Sequence, residues 1–351
     1  LGTHNLIISC IGFKENMVPN LVLNSGKELV VTVLMEEKIT TTRDVVIKAE
    51  GRKNKPLNEL SAVSARAFTV EETQKYAAAI NDPARMATNF AGVMAADDGN
   101  NQIVIRGNSP SGLLWRMEGI DVPNPNHFAS TGSSGGGVSI LSSQLMSNSD
   151  FLTGAFTAEY GNALSGVFDL HLRKGNDQKR EYSFQAGVLG LNVAAEGPFS
   201  KNYKGSYLIN YRYSTLGILS KMKVDVGGGI TKFQDLSYNI SLPTNHLGNF
   251  TLFSFGGLSD QVFDLKKDST KWTSSNDRYG NDFVANTGMW GATHSINLGK
   301  NSYLKSAVGY SITKNYLDVN YVQQDYSSLN VFNQSARTTK LSLSSTFNHR
   351  F

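Results

Sequence analysis

The chain has 351 residues, with 33 lysines and arginines against 29 aspartates and glutamates, a net charge of +4. So small an excess, with no dense basic run, excludes a nucleic-acid binder that works by charge. A hydrophobic content of 40% excludes a disordered chain. The length predicts two or three domains, and 33 glycines, 14 tyrosines and 18 phenylalanines against 8 prolines lean towards β structure with many turns. No stretch approaches the roughly 18 apolar residues of a membrane-spanning helix. The single cysteine, Cys10, lies in the apolar run Leu6–Ile11 and is expected to be a buried core thiol. The chain opens Leu-Gly-Thr-His inside a strand-like pattern, without a signal peptide, which suggests a fragment.

Residues 1–35 read as β throughout. Strands are expected at Leu6–Ile11, Leu21–Leu23 and Leu29–Met35, about half of a small β-sandwich. The next twenty residues are polar, with Glu36-Glu37-Lys38 and Gly51-Arg52-Lys53-Asn54-Lys55 at their ends. Within them Asp44-Val45-Val46-Ile47-Lys48-Ala49 forms a β-branched island with nothing nearby to pack on. It is either a strand added to a partner's sheet edge or a short strand of the neighbouring domain.

Residues 56–175 read as a compact α+β domain. Thr69-Val70-Glu71-Glu72 is a capping box opening a helix through Ala79, and Asp82-Pro83 opens a second helix. Strands are expected at Gln102–Arg106 and Leu113–Glu118. A long loop follows, from Pro123-Asn124-Pro125-Asn126-His127-Phe128 through Gly135-Gly136-Gly137. Its Ser/Gly run is read as letting the loop move. The domain closes on the alternating strand Phe168–Arg173, where Phe168, Leu170 and Leu172 face one way and Asp169, His171 and Arg173 the other.

From residue 176 the texture changes to eight alternating strands, at about 181–190, 191–197, 204–213, 232–242, 248–258, 284–297, 302–317 and 336–350. Tyr207, Ile209, Tyr211 and Tyr213 share one face of the third; Leu341, Leu343 and Phe347 share one face of the last. Alternate connections are short (198–203, 243–247, 298–301), and the others are longer and polar (214–231, 259–283, 318–335). Loop lengths segregated by side are the layout of an outer-membrane β-barrel.

A compact domain followed directly by such strands resembles the TonB-dependent outer-membrane receptors. Phe151–Gly154 and Glu159–Phe168 look like the end of the receptor plug. Ile103-Val104-Ile105-Arg106-Gly107 looks like its Ile-Arg-Gly strand, and Met117-Glu118-Gly119-Ile120-Asp121-Val122 like its Ile-Asp-Gly-Val turn, with Glu in place of Asp. Asp44–Ala49 resembles the coupling segment called the TonB box. Residues 1–37 look like the end of the carboxypeptidase-regulatory-like β-sandwich that precedes the plug in Bacteroidetes-type receptors.

The resemblance implies an α+β plug domain at 56–175, a linker at 38–55 carrying the coupling segment 44–49, and a partial antiparallel transmembrane β-barrel at 176–351. Arg106 and Glu118 become plug–barrel anchors. Asn124, Asn126, His127 and Phe128 become a candidate substrate loop, although the residues by themselves favour an Asn-Pro turn with a solvated histidine. The implied function is TonB-coupled uptake of a siderophore, haem, vitamin or oligosaccharide across a Gram-negative outer membrane. A non-transporting surface binding or adhesion protein is the alternative. Implied partners are the periplasmic TonB transducer, outer-membrane lipids and the cargo; a surface lipoprotein is left open, and nucleic acid is not among them. Two departures stand out. Thr153 occupies the place of a second plug arginine. These receptors also have about 22 strands, whereas an eight-stranded barrel has room only for side chains. A plug with a radius of gyration of roughly 14 Å does not fit within eight strands, so the chain is expected to be cut at both ends.

No catalytic, cofactor or metal constellation stands out. Gly132-Ser133-Ser134-Gly135-Gly136 matches Gly-x-Ser-x-Gly without the strand–turn–helix that a nucleophile elbow needs. Ser165, Asp169 and His171 could be drawn as a triad, but nothing supplies an oxyanion hole. The six histidines show no ligand spacing.

Overall fold

The computed structural model describes residues 2–10, 16–23, 29, 31, 33, 56–58, 61, 64–68, 82–97, 99–187, 190–216, 230–299 and 301–349. The expected coupling segment Asp44–Ala49, the capping-box helix over 69–79 and most of the strand expected at 29–35 lie outside the described residues. Strands β1 (Gly2–Ile8) and β2 (Asn16–Leu23) form an antiparallel hairpin with a bulge between His4 and Leu6. Cys10 is exposed, not the buried thiol expected from its apolar run. The reason is local: β1 ends at the Ile8–Asn16 pair, so Cys10 lies beyond the ladder that would have covered it.

The inner domain is built on a five-stranded sheet in the order β3-β10-β11-β6-β7. Its strands are β3 (Ala65–Phe68), β6 (Leu113–Met117), β7 (Ile120–Asp121), β10 (Ser149–Leu152) and β11 (Gly166–Leu170). β11 is central, and every one of its residues is buried. It runs parallel to β6 and antiparallel to β10. Phe168 stacks on Trp115 at 4.6 Å and on Phe151 at 4.4 Å, with Phe68 edge-on at 6.0 Å. Each such ring contributes about 1.5–3 kcal/mol by its burial. The short helix α1 (Pro83–Ala87) starts as its sequence demands, with Pro at the first turn and the Asp82 carboxylate accepting from Ala84 N and Arg85 N. A separate hairpin of β4 (Val93–Asp97) and β5 (Asn100–Ile105) lies beside it. Asp169 accepts from the Tyr160 hydroxyl at 2.8 Å, and the His171 backbone amide donates to Ser149 Oγ at 3.0 Å.

The eight expected outer strands form one antiparallel meander, β12 to β19 in order. They are β12 (Glu181–Ala186), β13 (Leu191–Ser200), β14 (Tyr203–Tyr213), β15 (Ile230–Pro243), β16 (Asn249–Phe263), β17 (Tyr279–Asn297), β18 (Ser302–Val322) and β19 (Ser328–His349). The last three have 19, 21 and 22 residues, well beyond the roughly 9–11 that cross a bilayer. They extend into what the sequence reads as the loops 259–283 and 318–335. Pairing in water needs no apolar alternation, and here polar side chains support it: Asp318 accepts from Asn320, Asn330 and Asn333 at 2.7–2.8 Å.

This wall is inside-out. Tyr182, Phe184, Val193, Ile209, Tyr211, Leu236, Leu252, Trp290, Val308, Tyr310, Leu341 and Leu343 are exposed on one face. The other face carries Ser206, Asn210, Asp235, Ser237, Asn239, Phe253, Phe255 and Met289, all buried. An exposed face of that size and character suits an apolar surrounding. The buried face lies against the inner domain: Phe253, Phe255, Met289 and Ala307 of the wall join the same hydrophobic cluster as Trp115, Phe151 and Phe168.

Candidate functional site

The loop after β7 is held by its own side chains. Asn126–His127 (β8) pairs with Val138–Ser139 (β9), and the Ile140 amide donates to Pro125 O at 2.9 Å. Gly135 and Gly136 between them allow close approach of neighbouring chain. A Cβ on Gly136 would sit 2.3 Å from His127 O. Asn101 Nδ2 donates to Asp82 Oδ2 at 2.5 Å and to Asn126 Oδ1 at 2.6 Å, while its Oδ1 accepts from Gly136 N at 2.6 Å. Asn126 Nδ2 donates to Asn124 Oδ1 at 2.5 Å, and Asn124 Nδ2 donates to Ser133 O and Gly135 O at 2.9 Å. Burial pushes the Asp82 carboxyl above its ordinary range, against the hydrogen bonds from Asn101 and Ala84. The amides of Asn124 and Asn126 are thus committed to the loop, and Ser130, Thr131 and Gly132 form its exposed tip. Ser134 is buried, so no nucleophile elbow is presented.

His127 is not solvated. It is 0% exposed and lies against the wall. Its Nε2 stands 2.9 Å from Asp235 Oδ2 on β15. A carboxylate only accepts, so Nε2 carries the proton. The same oxygen accepts from Arg212 Nε at 2.8 Å, and Arg212 Nη2 also donates to Ser139 O of the loop. Phe233 closes the site, 4.7 Å from the His127 ring and 5.2 Å from the Arg212 guanidinium. Burial pushes the imidazole below its usual value of 6.5, opposed by the hydrogen bond and charge of Asp235. Further along, the Phe128 amide donates to Ser259 Oγ at 3.2 Å and Asn315 Nδ2 donates to Ala129 O at 2.6 Å.

Three ion pairs tie the other end of the inner domain to the wall. Glu118 lies 3.4 Å from Lys305, Asp121 lies 3.3 Å from Lys340, and Arg173 holds Glu196 with two bonds of 2.7 Å. Arg106 behaves differently. Its guanidinium donates to Ser64 Oγ at 2.8 Å and Thr153 Oγ1 at 3.3 Å, both within the inner domain, and it reaches no carboxylate among the described residues. Sequence reasoning missed Arg212, Asp235, Arg173 and Glu196. The available signal was charge at inward positions of alternating strands, since Arg212 and Asp235 alternate with the outward Tyr211, Tyr213 and Leu236. Among the described residues no group of acidic, histidine or cysteine side chains is arranged to hold a metal ion. The chemistry of the site is adhesion: charge-assisted bonds that fasten one domain inside a wall.

Residues 58–167 match the family model of the TonB-dependent receptor plug domain. No curated protein sequence matches the chain. Solved structures share its fold. The pyoverdine outer membrane receptor FpvA from Pseudomonas aeruginosa PAO1, bound to pyoverdine, superposes with a TM-score of 0.58 at 13% identity, over 81% of this chain and 43% of that one. BauA, the ferric preacinetobactin receptor from Acinetobacter baumannii, gives 0.53 at 14% identity, over 82% and 44%. The ferric-catecholate import receptor Fiu from E. coli K12, in an open form, gives 0.53 at 11% identity, over 82% and 46%. At these identities the likeness is one of fold, and the chain spans less than half the length of each. The inner domain is a plug, and the wall resembles part of the barrel that surrounds one.

Proposed function

We propose that this chain supplies the plug and wall strands of a Gram-negative outer-membrane receptor that takes up a scarce nutrient by TonB-coupled active transport. The observation that carries the reading is the pairing of a plug-family domain with a wall whose outward face is apolar and exposed and whose inward face packs on that domain through both polar and apolar side chains. Transport rather than catalysis fits a site made of anchoring bonds. The cargo is a siderophore, haem, vitamin or oligosaccharide, met by the loop tip 130–132 on its Asn124, Asn126, His127 and Phe128 scaffold. On the same side of the wall, Arg278 lies over Tyr321 at 4.4 Å and over Trp272 at 5.1 Å, an aromatic patch next to the connection 264–278.

The β1–β2 hairpin supports reading residues 1–37 as the end of a carboxypeptidase-regulatory-like sandwich, and hence a Bacteroidetes-type receptor. Residues 38–55 are then the linker, with Asp44–Ala49 as the segment that adds a strand to the TonB transducer. Pulled from the periplasm, it would displace part of the plug, an order–disorder switch. The test is binding of a peptide covering residues 40–52 to the transducer's periplasmic domain, with a known box peptide as control. Saturable binding is expected, and no detectable association would remove this segment from the mechanism. Proton-gradient-dependent accumulation of cargo separates a transporter from a receptor that only binds.

A further inference from the structure

The outward face of the wall changes character along its strands. On β18 and β19 the outward rows run from the pair Leu304–Phe347 to the pair Ile312–Thr339. Between them Val308, Tyr310, Leu341 and Leu343 are exposed. At about 3.4 Å per residue and a tilt of about 40°, Leu304 to Ile312 rises about 21 Å, most of an apolar band of about 25 Å. Trp290 and Tyr310, stacked at 6.5 Å, stand near its margin as interfacial aromatics do.

The next outward row is different. Lys314 of β18 is directly opposite Arg337 of β19, and Asn286 of β17 is opposite Lys314. Such cross-strand neighbours have Cβ atoms about 5 Å apart, and like charges there repel. Both cations are exposed. Among the described residues neither has a carboxylate partner, unlike Lys232, 3.8 Å from Asp260, and Lys305, 3.4 Å from Glu118. Asp282 and Asp318 face each other two rows further out, about 13 Å along the strands. Asp318 is held there by three asparagine amides. Asn286 Oδ1 accepts from the Ser259 amide at 3.2 Å, which leaves its Nδ2 to donate. The row thus offers a guanidinium fork, an ammonium and an amide N–H, with its one acceptor already engaged. It lies towards the ends of the strands that carry the long connections 214–229 and 264–278, the outer side of such a barrel.

We propose that Lys314, Arg337 and Asn286 form a docking site for a phosphate group of an anionic lipid in the outer leaflet. Two exposed cations alone hold a soluble anion weakly. A lipid adds burial of its chains on the apolar rows immediately below, and so keeps its phosphate at the level of the row. Arginine grips phosphate through two parallel bonds, and lysine supplies a point charge beside it. The site rests on the wall facing lipid, as in the proposed function, and not on the uptake of any cargo.

The test uses the full-length receptor in a zwitterionic detergent, titrated with bis-phosphorylated lipid A, with bound lipid counted by native mass spectrometry. Saturable binding is expected. The double variant K314Q/R337Q should weaken it roughly 25-fold, the effect of two charges near a lipid surface. K232Q removes a cation of the same face that has its own partner, and should bind as the native protein does. Unchanged binding by the double variant, or an equal loss in K232Q, overturns the site. Lipid A stripped of its phosphates should bind at least about tenfold more weakly, and equal affinity overturns phosphate recognition. Inorganic phosphate should not displace the lipid; full displacement would assign the row to a soluble anion and overturn the lipid. Unchanged thermal unfolding shows that each variant folds. Flotation with phosphatidylcholine vesicles separates the two readings. Native protein that fails to float overturns the membrane wall itself, whereas flotation with unchanged lipid A binding by K314Q/R337Q overturns the docking site alone.

Discussion

His127 and Asp235 are 108 positions apart and bond at 2.9 Å across the boundary between plug and wall. The contact joins the loop that presents the plug's exposed tip to a strand of the surrounding sheet. Asp235→Ala would leave Arg212 and His127 facing a void with two donors unmet. We expect a loss of about 1–3 kcal/mol in docking of the loop, the usual cost of orphaning buried polar groups. Asp235→Asn keeps an acceptor for one of them and should lose less. Hydrogen exchange over residues 123–137 reads both, and equal protection in all three proteins would mean that the bond does not hold the loop.

The same contact responds to pH. Docked His127 has a pKa below its ordinary 6.5, so the undocked loop binds the proton more readily. Docking is therefore at full strength above about 6.5 and weakens as pH falls, by up to about 1.4 kcal/mol per unit until the docked value is reached. Asp235 opposes that change and Arg212 reinforces it. Exchange over 123–137, corrected for its intrinsic pH dependence, should rise between pH 7.5 and 5.5 in the native protein. In His127→Gln that rise should be absent; an identical rise in both would assign the effect to another group.

The wall strands were legible because a sheet with two unlike environments writes a period of two into its residues, as in Tyr207, Ile209, Tyr211 and Tyr213. The plug was legible through motifs such as Ile103–Gly107. What could not be read was pairing across the seam. Nothing local to Asp235 names His127 as its partner, and nothing local to Glu196 names Arg173. Strand ends above the apolar band were also missed, since Asp318 and Asn333 look like loop residues until they are seen side by side in a ladder. Cys10 shows the opposite error, an apolar run taken for a core when its strand stops at Ile8.

Gly257 of β16 sits under the docked loop. A Cβ there would lie 2.6 Å from His127 Cε1 and 2.7 Å from Ile140 Cδ1. Gly257→Ala should cost about 1–3 kcal/mol by overpacking and loosen residues 123–140. The neighbouring Gly256→Ala, whose Cβ would meet nothing closer than 3.4 Å, is the control. Thermal unfolding of the two variants should separate them. Coincident curves would show that the loop shifts without cost.

Leu57 and Asn58 are clasped to β10. Asp150 accepts from Leu57 N and Asn58 N at 2.9 Å each, and Asn58 Nδ2 donates to the Tyr160 hydroxyl at 3.1 Å. Burial pushes the Asp150 carboxyl up, opposed by those two amides. Asp150→Ala should speed exchange of the Leu57 and Asn58 amides about tenfold or more, for a loss of about 1–3 kcal/mol. The amides of β11 should stay protected. Loss of protection throughout the sheet would instead mark Asp150 as part of the plug's global stability.

Arg173 and Glu196 fasten the far end of the plug to β13. Both carboxylate oxygens of Glu196 accept from the guanidinium, and one also accepts from the Asn176 amide at 3.0 Å. The Glu196 side chain is buried and that of Arg173 is partly exposed. Removing one partner of such a pair costs more than removing both, because a lone buried charge keeps its desolvation penalty. Arg173→Met should therefore destabilise by about 3–5 kcal/mol. Combining it with Glu196→Gln should recover part of the loss, since a neutral amide needs fewer donors. Urea denaturation of the two single variants and the double variant completes a thermodynamic cycle. A double variant no more stable than Arg173→Met would show that the arginine acts by packing its stem on the wall rather than by charge.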